Sequence, residues 1–314
     1  MGTLQNGLKA GLRTTWTLGK IIFPITILVT ILQYTPVLPW LIRLVEPFMG
    51  IFGLSGEAAI PLVLGNALNL YAGIAGMLSL ELTVKEVFIL AMMMSFAHNL
   101  FIETGVALKV GVKLWIVLLV RFGLAALSGI VINLVWQGGG EVAKYGMTPN
   151  HVTVPEGWLE IGLLGVQKAS YGVLQLALIV IPLMVFVQFL KDRQYLERFS
   201  EKMAPLTKVI GVQPNASLTF VAGLVIGLAY GAGVMIQAVQ EEGVSKKDAT
   251  LVFIFLVACH AVIEDTLLFI PLGIPVWPLL LIRVITAFVL TIVVATIWRR
   301  AERQEKKGEP LIDG

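Results

Sequence analysis

Long apolar segments alternate with short polar ones along nearly the whole chain. Each half contains four apolar segments, which we label a to d in chain order, and several of them approach twenty residues. Runs of this length predict membrane-spanning helices, because an outer-membrane barrel shows alternating segments of about ten residues instead. The sequence therefore predicts an all-α integral membrane protein.

An amphipathic stretch precedes the first apolar segment. Four large apolar residues, opposite Lys9 and Arg13, lie on one helical face: Leu4, Leu8, Leu12 and Trp16. This arrangement predicts a lead-in helix at the membrane interface. We expect no removable signal peptide, because the stretch lacks a short apolar core followed by a small-residue cleavage site.

The second half of the chain repeats landmarks of the first. The aligned pairs, with a shift of four residues before the histidines, are Pro24 and Pro182, Gly65 and Gly223, His98 and His260, Arg121 and Arg283, and Trp136 and Trp298. The chain is therefore predicted to be a tandem duplication. We place the first repeat at residues 1–136, the connecting loop at 137–157, the second repeat at 158–300 and a polar tail at 301–314.

Basic residues predict that the two repeats are inverted. The loop after segment a contains only Arg43 in the first half, but five Lys or Arg residues in the second: Lys191, Arg193, Arg198, Lys202 and Lys208. Both termini are also rich in Lys and Arg, whereas residues 137–157 contain Lys144 as their only Lys or Arg. Because cytoplasmic loops are enriched in Lys and Arg, we expect both termini in the cytoplasm and each repeat to cross an odd number of times.

An odd number of crossings requires that one of the four segments is broken or re-entrant, and segments b and c are the candidates because a and d resemble full spans. Segment b is the better candidate, because Gly65, Asn66, Asn69, Gly73 and Gly76 interrupt its apolar run. Glycine and asparagine at this density favour an interrupted helix. Such backbone is tolerated at membrane depth where it is buried or lines a wet cavity.

Composition narrows the function further. With 57% hydrophobic and 14% charged residues, the chain is not a water-soluble domain. A single cysteine, Cys259, excludes an intrachain disulfide and a multi-cysteine metal site. The sequence contains no G-x-x-x-x-G-K-[ST], G-x-S-x-G or H-E-x-x-H pattern, so we expect neither nucleotide hydrolysis nor enzymatic activity, and no nucleic-acid partner.

Segment c of each half contains deep ionisable residues. Thr83 with Glu86, and Ser245 with Asp248, predict capping boxes that begin these helices and place His98 and His260 near the bilayer midplane. We predict a polar stripe on each of these helices, one with Ser95, Asn99 and Glu103 and the other with His260 and Glu264. Ionisable residues at this depth point to function.

Several roles for these residues remain open. Glu103 with Arg121, and Asp265 with Arg283, are candidate buried ion pairs that would serve structure alone. His98, His260 and Glu264 have no evident partner in the sequence. They are candidates for substrate binding, for proton transfer, or for ligation of a divalent cation such as iron(II), manganese or zinc. Beyond such a cation, we expect no cofactor.

Neutral polar residues in and around segment b complete the candidate substrate site. With the histidines and Glu264, the candidates are Asn66, Asn69, Tyr71, Asn99, Tyr230 and Gln237. These groups suit a polar, uncharged solute. The alternative is that asparagine and glycine only permit close helix packing.

The break at Gly65-Asn66-Ala-Leu-Asn69, together with the preceding Ile51-Phe-Gly53-Leu-Ser55, resembles the Gate domain, also called the nucleoside-recognition domain. Gate domains occur in the membrane part of B-type ferrous iron transporters and in spore maturation proteins A and B, and they are similar to parts of concentrative nucleoside transporters. This chain lacks the cysteine that the iron transporters carry at the break, and it has Leu68 and Asn69 there.

The resemblance and the residues together predict a gradient-driven carrier or channel of the inner membrane. Its cargo would be a small polar solute such as a nucleoside, or a divalent cation, bound between two inverted repeats. The alternatives are a non-transporting scaffold of the spore-maturation type and an intramembrane metal-dependent enzyme. We expect contact with the lipid bilayer, and a homo-oligomer is compatible with the sequence.

Overall fold

The computed structural model describes residues 2–144, 155, 157–193, 195–228, 232–241 and 243–308. Within these ranges the chain is helical and contains no strand, as predicted. The helices of the first half are α1 (Gly2–Gln33), α2 (Val37–Gly50), α3 (Ala59–Ala67), α4 (Leu70–Leu78), α5 (Val84–Phe96), α6 (Leu100–Lys109) and α7 (Leu114–Val135). Those of the second half are α8 (Trp158–Asp192), α9 (Tyr195–Val209), α10 (Ser217–Ile226), α11 (Ala232–Glu241), α12 (Lys246–Ala258), α13 (Val262–Leu268) and α14 (Val276–Gly308).

Five of the described segments are long and apolar enough to cross a membrane. They are Val84–Lys109, Leu114–Val135, Trp158–Phe186, Lys246–Leu268 and Val276–Gln304. The first and fourth, which correspond to segment c, are mostly buried inside the protein, whereas the other three expose most of their surface. The protein is thus a multi-pass membrane protein whose two c segments lie at its centre.

The outer helix α14 has one exposed apolar face and one buried face. Trp277, Leu281, Ile285, Val289, Val293 and Ile297 are exposed at a spacing of four residues. On the opposite face Leu279, Arg283, Ala287, Thr291 and Ala295 are buried at the same spacing. The equivalent helix α7 buries Val117, Arg121, Ala125 and Gly129. Each of these helices therefore carries its arginine on the face that packs against segment c.

The helices α1 and α8 run antiparallel along most of their length. Gly7 of α1 packs on Val185 of α8, whereas Ile27, five turns later in α1, packs on Gly165. Hydrogen bonds from Thr3 and Gln188 lower the pKa of the Asp192 carboxyl at the far end of the pair. The predicted lead-in helix and segment a form one continuous helix. Leu4, Leu8, Leu12 and Trp16 lie on its exposed face.

Segment a of the first half lies in α1. Among the described side chains its apolar part is Ile22–Gln33, and the full span stays a prediction. The second half has the longer apolar stretch Trp158–Phe186. The antiparallel course of α1 and α8 fits inverted repeats, and the inversion of the two halves as wholes stays a prediction.

Close packing of α1 on α8 depends on Gly11. A Cβ atom at this position would lie 2.8 Å from the Cα of Ile181. We expect Gly11→Ala to lower the free energy of unfolding by about 1–3 kcal/mol, because the two backbones would have to separate. The measurement is the thermal unfolding midpoint in detergent. The matched control is Gly162→Ala in α8, where no atom lies within 4 Å of the new Cβ; equal midpoints for the two variants would contradict the prediction.

Segment b of the first half is a re-entrant hairpin. The helices α3 and α4 lie side by side, and a Cβ at Gly73 of α4 would be 3.0 Å from Gly65 Cα and from the Pro61 carbonyl oxygen of α3. The chain therefore reverses at Leu68 and Asn69, where we predicted the break. In the second half α10 and α11 also pack against each other.

Both c segments begin at the predicted caps. Thr83 and Glu86 form a capping box, and the Ser245 side chain accepts a hydrogen bond from the Asp248 amide. The start of the connecting loop pairs with the first of these caps, because the amides of Val84 and Lys85 donate to the carbonyls of Glu141 and Gly139 at 2.9 Å. Residues 145–154 and 156 of the predicted loop at 137–157 lie outside the described residues, and the predicted domain boundaries stay predictions.

Candidate functional site

Both c segments are broken at their histidines. The helix α5 ends at Phe96 and α6 begins at Leu100, while α12 ends at Ala258 and α13 begins at Val262. The sequence predicts one interrupted segment in each half and favours segment b over segment c, whereas the structure interrupts segment c as well. The residue after each histidine, Asn99 or Ala261, is left-handed, with φ of 48° and 43° respectively.

The re-entrant hairpins hold these breaks in place. The amide of Asn99 donates to the Gly65 carbonyl at 2.8 Å, and the amide of Ala261 donates to the equivalent Gly223 carbonyl at 3.2 Å. A left-handed residue other than glycine costs about 1–2 kcal/mol, so the surrounding contacts have to stabilise it. Segment b thus fixes the backbone of segment c in both halves.

The two breaks bring the two histidines into contact at the centre of the protein. The imidazole rings of His98 and His260 lie with centroids 5.0 Å apart, and their Nε2 atoms are 3.3 Å apart. Each Nδ1 atom is 2.7 Å from a carbonyl oxygen of its own helix, that of Met94 or Leu256. Both side chains are buried, with 5% and 1% of their surface exposed.

Glu103 joins the two histidines. Its Oε1 atom is 3.3 Å from Nε2 of His98 and 3.3 Å from Nε2 of His260. Its Oε2 atom accepts a hydrogen bond from Arg121 at 2.7 Å. The carboxylate is therefore held by the guanidinium on one side and contacts both imidazoles on the other.

Both predicted ion pairs are formed. Arg121 binds Glu103 and also donates to the His98 carbonyl oxygen. Arg283 repeats this arrangement and donates to the Asp265 carboxylate at 2.8 Å and to the carbonyl of His260 at 2.7 Å. Because each arginine binds a carbonyl at the helix break, it stabilises the broken backbone as well as the charge.

Glu264 has a partner, which corrects the expectation that it has none. The Tyr71 hydroxyl of α4 donates to Glu264 Oε1. This contact connects the hairpin of the first half with the broken helix of the second. Asp265 also lies close to the two imidazoles. One potential ligand atom from each of His98, His260 and Asp265 lies within 4.8 Å of the other two. The predicted metal set of His98, His260 and Glu264 stays a prediction, with Glu264 bound to Tyr71 in this structure.

The remaining candidates have varied surroundings. Asn69 caps α4 by accepting a hydrogen bond from the Ala72 amide at 2.9 Å, and Asn66 donates to the Leu62 carbonyl at 2.8 Å. These bonds satisfy backbone groups of the hairpin, as the packing alternative expects. Gln237 is exposed on α11, and Tyr230 lies outside the described residues.

Gln175 of α8 is a buried polar residue that the sequence did not identify as a candidate. It is 6% exposed, and its amide atoms have no hydrogen-bond partner among the described residues. It lines a largely apolar crevice with Tyr71, Ile74, Leu176 and Leu268, between α8, α4 and α13. The signal that could have identified it is a single amide within the apolar run from Gly172 to Val180.

The chain is similar to several known membrane proteins. A curated relative, the uncharacterized membrane protein YvoD of Bacillus subtilis strain 168, is 64% identical over 294 residues and covers 94% of each chain. A solved structure of a double variant of CNTnw in an outward-facing state covers 88% of this chain and 73% of its own, with 13% identity and a TM-score of 0.45. The sequence profile of the Gate family, described as nucleoside recognition, matches residues 15–113 and 173–273. The chain therefore belongs to the Gate family of membrane proteins and carries the family's unit once in each half.

Proposed function

We propose that this protein is a gradient-driven carrier or channel that moves a small polar solute or a cation through a central polar site. The observation that carries the proposal is the meeting of two helix breaks at the protein's centre, where His98, His260 and Glu103 contact one another. Ionisable groups at membrane depth are costly, and they mark substrate and ion pathways. Broken helices in transporters present such groups and freed backbone to the cargo.

The proposal extends to location and partners. The basic termini support an inner-membrane protein with both ends in the cytoplasm. The cargo is the expected small-molecule or ion partner, and we propose neither enzymatic activity nor a resident cofactor. The family description, nucleoside recognition, makes nucleosides the first solutes to test, and the buried carboxylates make cations the second.

The test is a flux assay with purified protein in proteoliposomes. Nucleosides and divalent cations are supplied outside, with and without a proton or sodium gradient, and the initial uptake rate is measured. We expect the double variant His98→Ala, His260→Ala to reduce that rate by more than about tenfold, because it removes two of the three groups that meet at the central site and each loss of about 1.4 kcal/mol in binding is tenfold.

A matched control is available in the third histidine. His151→Ala removes an imidazole from the stretch predicted to connect the two repeats, and it is expected to leave the uptake rate unchanged. Folded yield and thermal midpoint are recorded for all variants. If the double variant lowers yield and midpoint while no compound shows flux in the unsubstituted protein, the scaffold function is supported instead, with the histidines joining helices.

A further inference from the structure

The hydrogen bonds of the two imidazoles fix which nitrogen carries the proton. The Nδ1 atoms of His98 and His260 are each 2.7 Å from a carbonyl oxygen, which can only accept. Each Nδ1 is therefore the protonated nitrogen. In a neutral imidazole the other nitrogen then has a lone pair, so both Nε2 atoms are acceptors.

Three acceptor atoms consequently face one another without a donor between them. They are Nε2 of His98, Nε2 of His260 and Oε1 of Glu103. Lone pairs at this separation repel one another in a buried, low-dielectric environment. The arrangement requires a positively charged species among the three atoms.

The three distances identify what kind of cation fits. All three separations are 3.3 Å, so the acceptors form an equilateral triangle. In tetrahedral coordination, ligand atoms at about 2.0 Å from the metal lie about 3.3 Å from each other, and 2.0–2.2 Å is the range for zinc with imidazole and carboxylate ligands. A shared proton satisfies one pair of atoms, whereas a metal ion contacts all three.

The groups that bind these three residues resemble the groups that orient metal ligands in other proteins. Metal-ligating histidines usually donate their other ring N–H to a carbonyl or carboxylate, as both histidines do here. Arg121 binds Oε2 of Glu103 and so orients Oε1 towards the imidazoles. Arg121 and Arg283 each pair with one carboxylate, Glu103 and Asp265 respectively, so both acidic groups stay in place beside the imidazoles.

We propose that His98, His260 and Glu103 form a three-ligand site for a divalent transition-metal cation of the iron(II), manganese or zinc type. The fourth tetrahedral position remains open to water, to Asp265 or to an incoming ligand. The inference deepens the proposed function and rests on it only for the role of the bound ion, which would be the cargo. Imidazole and carboxylate ligands suit these metals better than calcium or magnesium.

One methylene distinguishes Glu103 from its counterpart in the second half. Asp265 binds Arg283 as Glu103 binds Arg121, but only Glu103 makes the short contacts to both imidazoles. Glu103→Asp is therefore a sharp test, because the second half shows that aspartate at this position still pairs with its arginine. The variant keeps the negative charge and the pairing with Arg121. Its side chain is one methylene shorter, so the carboxylate no longer reaches both imidazoles.

The experiment uses the full chain in detergent, purified with a tag that contains no histidine. Binding is measured by isothermal titration with Zn²⁺ and by the visible absorption of Co²⁺, which reports tetrahedral coordination. We expect one ion per chain with a tetrahedral Co²⁺ spectrum. Glu103→Asp should weaken Zn²⁺ binding at least about tenfold, and His98→Ala with His260→Ala more than about 100-fold. His151→Ala should bind as the unsubstituted chain does.

The outcomes separate this inference from the proposed function. Failure of the unsubstituted protein to bind either ion, or binding that survives the double histidine substitution, overturns the metal site. If a nucleoside is nevertheless transported, the proposed function stands without it. Stoichiometric metal binding without flux of any compound supports the site and overturns the carrier. Circular dichroism of each variant shows whether it is folded, and Glu103→Asp remains informative if the double variant does not fold.

Discussion

Replacing Arg283 with methionine is expected to lower the free energy of unfolding by about 3–5 kcal/mol. The arginine is fully buried, and it donates to the Asp265 carboxylate and to the carbonyl of His260 at the helix break. Methionine fills similar volume but leaves a buried carboxylate without its charge partner. The measurement is unfolding of the detergent-solubilised protein, followed by circular dichroism as denaturant is added.

The matched variant removes both charges together. Arg283→Met with Asp265→Leu leaves no unpaired charge, and a buried ion pair replaced by apolar residues is often close to neutral in stability. We therefore expect the double variant to recover most of the stability that Arg283→Met loses. If both variants are equally unstable, the cost arises from the lost carbonyl contact or from packing, and the ion-pair explanation is wrong.

Gly73→Leu is expected to cost about 3 kcal/mol, at the upper end of the range for overpacking. The new Cβ would lie 3.0 Å from the Gly65 Cα and 3.0 Å from the Pro61 carbonyl oxygen, so α3 and α4 could not remain in contact. Displacement of Gly65 would also disturb its hydrogen bond to the Asn99 amide. We therefore expect loss of Zn²⁺ binding together with loss of stability.

A second glycine of the same half provides the control for this substitution. No atom lies within 4 Å of the position that a Cβ would take at Gly105 of α6. Gly105→Leu should be neutral, or stabilising by up to about 1 kcal/mol through helix propensity. Thermal midpoints and Zn²⁺ titrations of the two variants decide the matter, and similar losses in both would contradict the close packing of the hairpin.

Much of the fold could be predicted because it follows local rules. Apolar length identified the spanning helices, the Thr83 cap fixed where α5 begins, and glycine with asparagine marked the hairpin at Asn69. The breaks at His98 and His260 could not be predicted, because their neighbours contain neither glycine nor proline. Distant carbonyls at Gly65 and Gly223 hold these breaks, and no local pattern reports such bonds.

Part of the candidate site could be predicted as well, from the cost of burying a charge without a partner. The pairing of Glu103 with Arg121 and of Asp265 with Arg283 follows from depth in the membrane, since a buried charge requires a partner. The bond between Tyr71 and Glu264 joins residues of different halves. The contact of Glu103 with both imidazoles depends on how the two halves pack against each other. The spacing of residues along one sequence does not report that packing.

The difference between Glu103 and Asp265 has a consequence for how such a protein can evolve. Two identical Gate units in a symmetric homodimer would place the same acidic residue on both sides of the twofold axis. Both side chains would then compete for the one space between the imidazoles, or neither would reach it. Fusion of the two units into one gene allows each copy to mutate independently. A single off-axis carboxylate can then serve a pair of histidines, which is an asymmetry that a homodimer encoded by one gene cannot inherit.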